Sequence, residues 1–283
     1  MQKRSLDVVV LSDTHLGTYG CQANELLQYL RSIHPRLLVL NGDIIDIWNF
    51  SKHYFPAAHL EVISEIMHLA STGTRVVYIT GNHDELLRKY SDISLGNFQI
   101  TDKLVMEING SMCWLFHGDV FDATTKGSAK FLAKLGGKGY DLLIMINSMI
   151  NWTLKTMGRD KMSFSKKVKQ GVKKAVAWID NFEQTAAELA IEKGYHYVIC
   201  GHIHQPQKRV VQNEKGSVIY LNSGDWIENL TALEYYNKDW HLYQFDTKSA
   251  LAPAIVNREK PRPDVVSEEV MLYIQSLGLD YTT

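Results

Sequence analysis

Five short strings in this 283-residue chain are built from side chains that bind metal ions: Asp13-Thr14-His15, Gly42-Asp43 followed by Asp46, Gly81-Asn82-His83-Asp84, His117-Gly118-Asp119 and Gly201-His202-Ile203-His204. Their donors are imidazole, carboxylate and amide oxygen, without thiolate. Such a set points to metal-ion chemistry with two hard or borderline divalent cations, manganese first and iron, zinc or magnesium as alternatives. If Asp13-x-His15 is extended, alternate positions face the same way and both side chains reach one ion; His202-x-His204 repeats the arrangement. Asp43 has two oxygens with which to bridge a pair of ions, and Asn82 offers a neutral ligand.

Side chains so far apart in sequence need a scaffold that gathers them. The apolar runs Leu6–Leu11, Leu37–Leu40 and Val76–Ile79 each end in one of these polar loops and read as buried parallel strands. Helical patterns near 22–33 and 57–71 lie between them, so the sequence predicts an α/β arrangement with a sheet covered on both faces. Active-site groups in such sheets gather outside the carboxyl ends of the strands, where the five loops are expected to converge. The glycines at 42, 81, 118 and 201 leave room for sharp turns and close backbone approach.

From Ile100 the pattern changes to short alternating strands, with Ser111–Phe116 running into His117. Residues 125–157 and 163–193 carry apolar side chains at helical spacing, among them Val168, Val172, Ala175, Val176 and Ile179. Strands are expected again at Tyr197–Cys200, 208–212, 217–222, 231–237 and 240–246. The predicted organisation is one domain over 1–250, interrupted by a basic helical cap insertion at about 123–195. A peripheral tail over 251–283, with a helix at 267–276, completes the chain.

An apolar content of 45% with 22% charged residues is the balance of a soluble globular protein. Cys21, Cys113 and Cys200 are odd in number and far apart, which argues against a disulfide framework or a zinc ribbon and fits a reducing cytosol. The first residues do not read as a signal peptide, and no run approaches the roughly 20 apolar residues of a membrane span. The net charge of −1 hides an asymmetry: residues 123–195 hold 13 Lys and Arg against 6 Asp and Glu, leaving 17 against 25 elsewhere. A basic patch of this kind is expected to face polyanions.

In order, spacing and residue type, DTH, GDIID, GNHD, HGD and GHIH resemble the signature of the calcineurin-like metallophosphoesterases across roughly residues 7–225. The resemblance implies an α/β, four-layer sandwich of two mixed β-sheets flanked by helices, with a helical cap insertion. It implies that Asp13, His15, Asp43 and His204 hold one ion, and that Asp43, Asn82, His117 and His202 hold the other. Two ions roughly 3.5–4 Å apart would lower the pKa of a shared water and neutralise phosphate oxygens. His83 would face the leaving group, oriented by Asp46 through its other ring nitrogen. Asp119 and Asp122 are expected to support turns rather than ligate, and Asp225 and Trp226 to support the wall. His34, His53, His59, His68, His196 and His241 are expected to be structural.

A narrower similarity covers Ser12–Thr18, Asn41–Trp48, His117–Asp122 and Ser223–Glu228, together with the basic insertion. These look like the UDP-2,3-diacylglucosamine diphosphatase branch of lipid A synthesis, in its relatives with a GNHD motif. This implies cleavage of an acylated sugar-nucleotide diphosphate to UMP and 2,3-diacylglucosamine 1-phosphate. Ser163, Lys166, Lys167 and Lys169 of the insertion are the expected substrate contacts. The cap lysines would also meet an anionic membrane surface, placing the chain in the cytoplasm and peripherally on the inner membrane. Nucleic acid is not the expected partner. The alternatives are the same chemistry on a soluble nucleotide, a phosphoprotein or a nucleic-acid phosphodiester, and a non-catalytic scaffold, against which the full set of ligand residues stands.

Overall fold

A computed structural model describes residues 3–47, 55–124, 179 and 181–247. In chain order the elements are β1 (Arg4–Leu11), α1 (Ala23–Ser32), β2 (Ile33–Asn41), α2 (Ala57–Ser71), β3 (Arg75–Ile79), the 3-10 helix η1 (Glu85–Tyr90), β4 (Ser94–Leu95) and β5 (Phe98–Thr101). Then come β6 (Leu104–Ile108), β7 (Ser111–Leu115), the 3-10 helix η2 (Asp119–Thr124) and a helix over 181–192, here α3. Five strands follow: β8 (Tyr197–Cys200), β9 (Gln207–Asn213), β10 (Gly216–Asn222), β11 (Thr231–Tyr236) and β12 (Asp239–Gln244). All belong to one compact unit, Met1–Phe245.

The strands form two mixed sheets, ordered β12-β11-β1-β2-β3-β5-β4 and β6-β7-β8-β10-β9. In the first, β1, β2, β3 and β5 are parallel; in the second, β7, β8 and β10 are. Alternation along each buried strand explains the layering, because successive side chains leave a strand on opposite faces. Val8 and Val10 of β1, Val39 of β2 and Val77 and Ile79 of β3 meet Cys113, Leu115, Ile199 and Leu221 of the second sheet. Their neighbours Val9, Leu11, Leu38, Leu40, Val76 and Tyr78 point the other way, onto Leu26, Leu30, Val62, Ile66 and Leu69 of α1 and α2. On the far side, Val198, Cys200, Val218 and Tyr220 carry Phe182, Ala186, Ala187 and Ala190 of α3. The order of layers is helix, sheet, sheet, helix, with strands that must be apolar on both faces.

Some local structure departs from the sequence reading. β2 begins at Ile33, ahead of the apolar run at Leu37, because its first half alternates buried Ile33 and Pro35 with exposed His34 and Arg36. η1 and the two-residue β4 were not expected; both are too short for a periodic signal. Of the helical reading over 163–193, residues 181–192 are helical and sit on the second sheet. Residues 125–178 and 180 of the expected cap, with Ser163, Lys166, Lys167 and Lys169, lie outside the described residues, as does the expected helix at 267–276. Among the described residues no helix is long and apolar enough to cross a membrane.

One charged group is buried on the outer face of the large sheet. Glu234 of β11 takes both forks of Arg4 at 2.9 Å and the Tyr29 hydroxyl at 2.9 Å. A carboxylate removed from water is tolerated when its lone pairs are filled in this way.

Candidate metal centre

The five strings occupy the loops that leave β1, β2, β3, β7 and β8, at one edge of both sheets. Hydrogen bonds extend the ladders past the strand ends: Asp13 N–H donates to the Gly42 carbonyl at 3.1 Å, His15 N–H to Asp43 at 3.0 Å, and Gly201 N–H to His117 at 3.0 Å. Other bonds stitch the sheets together. His202 N–H donates to Asp13 Oδ2 at 3.0 Å, Asn41 Nδ2 to the Phe116 carbonyl at 3.2 Å, and the Ser12 and Ser223 hydroxyls share a bond of 2.7 Å.

The donors fall into three overlapping groups within which the ligand atoms lie no more than 4.8 Å apart: Asp13, His15 and His204; His15, Asp43 and His83; and Asp43, His117 and His202. Asp43 belongs to two of them. Its Oδ1 accepts His83 N–H at 2.8 Å, while Oδ2 lies 3.2 Å from His117 Nε2 and 4.0 Å from His15 Nε2. Asp13 is divided likewise, with Oδ2 on the His202 amide and Oδ1 3.1 Å from His204 Nε2. Asn82 follows Gly81, where an added Cβ would stand 2.3 Å from Asp43 Oδ1. At Gly42, φ is +82° and a Cβ would meet the His117 ring at 2.4 Å, so that loop also requires glycine. His83 Nδ1 is 3.0 Å from Asp46 Oδ2, which is 3.7 Å from His15 Nδ1.

The expected extended Asp13-x-His15 is not what brings these side chains together. Asp13, His15, Asp43, His202 and His204 all have positive φ, between 47° and 68°. The convergence comes from alternating left-handed residues, a conformation in which Asp, Asn and His are over-represented but still uncommon. Backbone held this way clusters at functional sites.

Opposite charges govern the electrostatics. Burial opposes ionisation of Asp13, yet His204 and His117 outweigh it and bring its pKa to about 2. Burial acts on Asp43 the same way, and His117, His15 and His83 hold it well below the usual carboxylate range. Burial lowers the His204 pKa, but Asp13 overrides this and lifts it to about 9. Asp13 Oδ1, His15 Nε2, Asn82 Oδ1 and His117 Nε2 are buried and make no hydrogen bond. Buried polar atoms without partners are costly and infrequent. These four face a cluster of nitrogen and oxygen donors, so the residues present fit divalent cations. The side chains of His83 and His204 are 30% and 27% exposed and that of His117 is sealed, so the opening lies on the His83 and His204 side.

Further residues support this cluster, of which Asp84 and Asn41 were not singled out from the sequence. Asp84 is fully buried; its Oδ1 accepts Gly81 N–H at 2.6 Å, and its Oδ2 accepts Ile44 N–H at 2.9 Å and the Tyr78 hydroxyl at 2.6 Å. It locks the loop after β2 to the loop after β3, and its place in the GNHD string was the available signal. Asn41 holds His117 by accepting from Nδ1 on its carbonyl at 2.9 Å. Asp225 caps its own turn through the amides of Ile227, Glu228 and Asn229 and lies 3.9 Å from His204 Nδ1. Trp226 is fully buried, and its backbone N–H donates to the Asp13 carbonyl at 3.1 Å. Asp119 binds Arg88. His59 and His196 each accept a backbone N–H on Nδ1, from Gly17 and Met112.

Known proteins resemble this chain over the same region. A UDP-2,3-diacylglucosamine hydrolase of Aliivibrio fischeri strain MJ11 is 23% identical over 247 residues, covering 86% of this chain and 100% of that protein. One from Wigglesworthia glossinidia brevipalpis is 24% identical over 253 residues, covering 85% and 94%. One from Ralstonia nicotianae is 25% identical over 229 residues, covering 77% and 83%. The family profile described as Calcineurin-like phosphoesterase matches residues 6–206. Because that match runs from β1 through the GHIH loop and takes in every strand end from which the Asp and His cluster is built, the chain belongs to the calcineurin-like phosphoesterase family of hydrolases.

Proposed function

We propose that this hydrolase cleaves the diphosphate of UDP-2,3-diacylglucosamine, releasing UMP and 2,3-diacylglucosamine 1-phosphate. The observation that carries the reading is the set of three overlapping Asp and His groups sharing Asp43 and His15, in a chain similar over most of its length to proteins named for that substrate. Asp13, His15, Asp43 and His204 would hold one divalent cation, and Asp43, Asn82, His117 and His202 a second, manganese being the expected metal. When bound, such a pair supplies Lewis-acid charge for the phosphate oxygens and an activated water as nucleophile.

The remaining roles fall to the protein. Asp13 and Asp43 each spend one oxygen on a backbone amide, which fixes the direction of the other. The His117 Nδ1 bond to the Asn41 carbonyl selects the tautomer that turns Nε2 inward. Asp46, 3.0 Å from His83 Nδ1, would do the same for His83 and leave Nε2 to meet the substrate. There His83 Nε2 would give a proton to the phosphate oxygen that departs when the α-phosphorus–oxygen bond breaks. The basic segment around Lys166, Lys167 and Lys169 would engage the substrate's phosphates and an anionic bilayer; vesicle binding indifferent to salt would remove that part.

Purified protein supplied with manganese and UDP-2,3-diacylglucosamine should release UMP. No release under any divalent metal would sink the proposal. Equal turnover of acylated and deacylated sugar nucleotides would replace it with a soluble substrate.

A further inference from the structure

We propose that Arg88 is a positioning residue which, paired with Asp119, sets the spacing of Asn82 and His117 and so the affinity of the second cation. The proposal rests on the two-cation reading above. η1 leaves the GNHD loop directly, and from its middle the Arg88 guanidinium reaches in two directions. Nη2 donates to Asp119 Oδ2, and Nε donates to Thr80 Oγ1 at 3.3 Å. Thr80 stands two residues before Asn82, and Asp119 two residues after His117. One rigid planar group therefore ties the end of β3 in the seven-stranded sheet to the loop after β7 in the five-stranded sheet, a task suited to the fixed fork of arginine. Thr80 is braced in turn, its hydroxyl donating to Asp102 Oδ1 at 2.7 Å.

The other ligand set is held differently. Asp13 is fixed through Gly42 and the His202 amide, and the His204 carbonyl accepts Asn229 Nδ2 at 3.0 Å. None of these bonds involves Arg88. The strap accordingly bears on the second subsite through Asn82 and His117, and reaches the first only through the shared Asp43, whose Oδ1 accepts the His83 N–H. Charge makes the opposite prediction for the two partners. Removing a cationic side chain near a cation site would tighten binding, and removing an anionic one would weaken it. A strap requires both removals to weaken binding, and to do so through one shared interaction.

The experiment is manganese binding to the full chain by equilibrium dialysis and metal analysis, for wild type, Arg88→Met, Arg88→Lys, Asp119→Asn and the Arg88→Met/Asp119→Asn double variant. Wild type should take up two ions. Each single variant should keep the first ion's affinity and lose about tenfold on the second, the scale of losing a support behind a ligand. The double variant should lose no more than either single one, because the two residues act through one contact. Arg88→Lys keeps the charge and so keeps a folded, charge-matched control, yet cannot span Thr80 and Asp119 at once; it should behave like Arg88→Met. Unchanged or tighter second-ion binding in the Arg88 variants, equal weakening of both ions, or additive losses would overturn the strap. A wild-type chain that binds a single ion would instead defeat the two-cation reading itself.

Discussion

Buried carboxylates in two regions of this molecule are treated in opposite ways. Glu234, on the outer face of the large sheet, has its oxygens filled by the Arg4 fork and the Tyr29 hydroxyl. At the strand ends, Asp13 and Asp43 each have one oxygen tied to a backbone amide and the other turned toward imidazole nitrogens, with Asp13 Oδ1 left without a hydrogen bond. All three carboxylates are themselves buried. The carboxylate on the sheet face is closed by its neighbours, and those proposed to hold cations are kept open by theirs.

The contrast can be broken most severely at Asp43. Asp43→Ala should abolish metal-dependent turnover, a loss on the order of a thousandfold or more, since it removes the side chain proposed to be shared by both cations. Turnover within about tenfold of wild type would end the assignment. His83→Ala should lower kcat by about 10²–10⁴ while metal content stays at the wild-type level, if the side chain acts on the substrate as proposed. Loss of metal in that variant would move His83 into the ligand set.

The Glu234 side of the comparison makes the converse prediction. Glu234→Ala should cost about 2–4 kcal/mol in urea unfolding, tempered by the exposure of Arg4, and leave turnover per folded molecule unchanged. An intermediate case gives the smallest effect. His59 is buried, its Nδ1 accepting the Gly17 N–H, and burial lowers its pKa below the ordinary 6.5. The unfolded chain therefore binds more protons than the folded one in that range. The contribution is whole above pH 6.5 and declines as pH falls through it. Unfolding free energies at about pH 7.5 and about pH 5.5 should fall less steeply in His59→Asn than in wild type. Equal slopes would show that His59 is not the titrating group.

Much of this arrangement was legible because ligation constrains residue type and parallel strands constrain hydrophobicity. Val39 and Val77 are buried between layers and Leu38 and Val76 on the other face, so the second half of β2 and β3 had to be continuously apolar and their carboxyl ends were easy to find. Asp13, Asp43, His117 and His202 could be proposed because each follows such a strand. Arg88 could not, since nothing in a 3-10 turn announces a partner at Asp119, 31 residues on. The Arg4 and Glu234 pair, separated by 230 residues, was equally silent. Asp13-x-His15 misled in a different way: alternation suggests an extended segment, but alternate left-handed residues produce the same convergence.

That last feature limits how the centre can be redesigned. Five of the side chains assigned to the cations sit on backbone that costs most residues roughly 1–2 kcal/mol each, with asparagine and aspartate among the few that visit it readily. Replacing them with cysteine to favour softer ions, or with glutamate to lengthen the reach, would meet a conformational handicap before any question of coordination arose. Attempts to retune metal preference have an easier start at Asn82 and His117, whose main chain carries no such restriction.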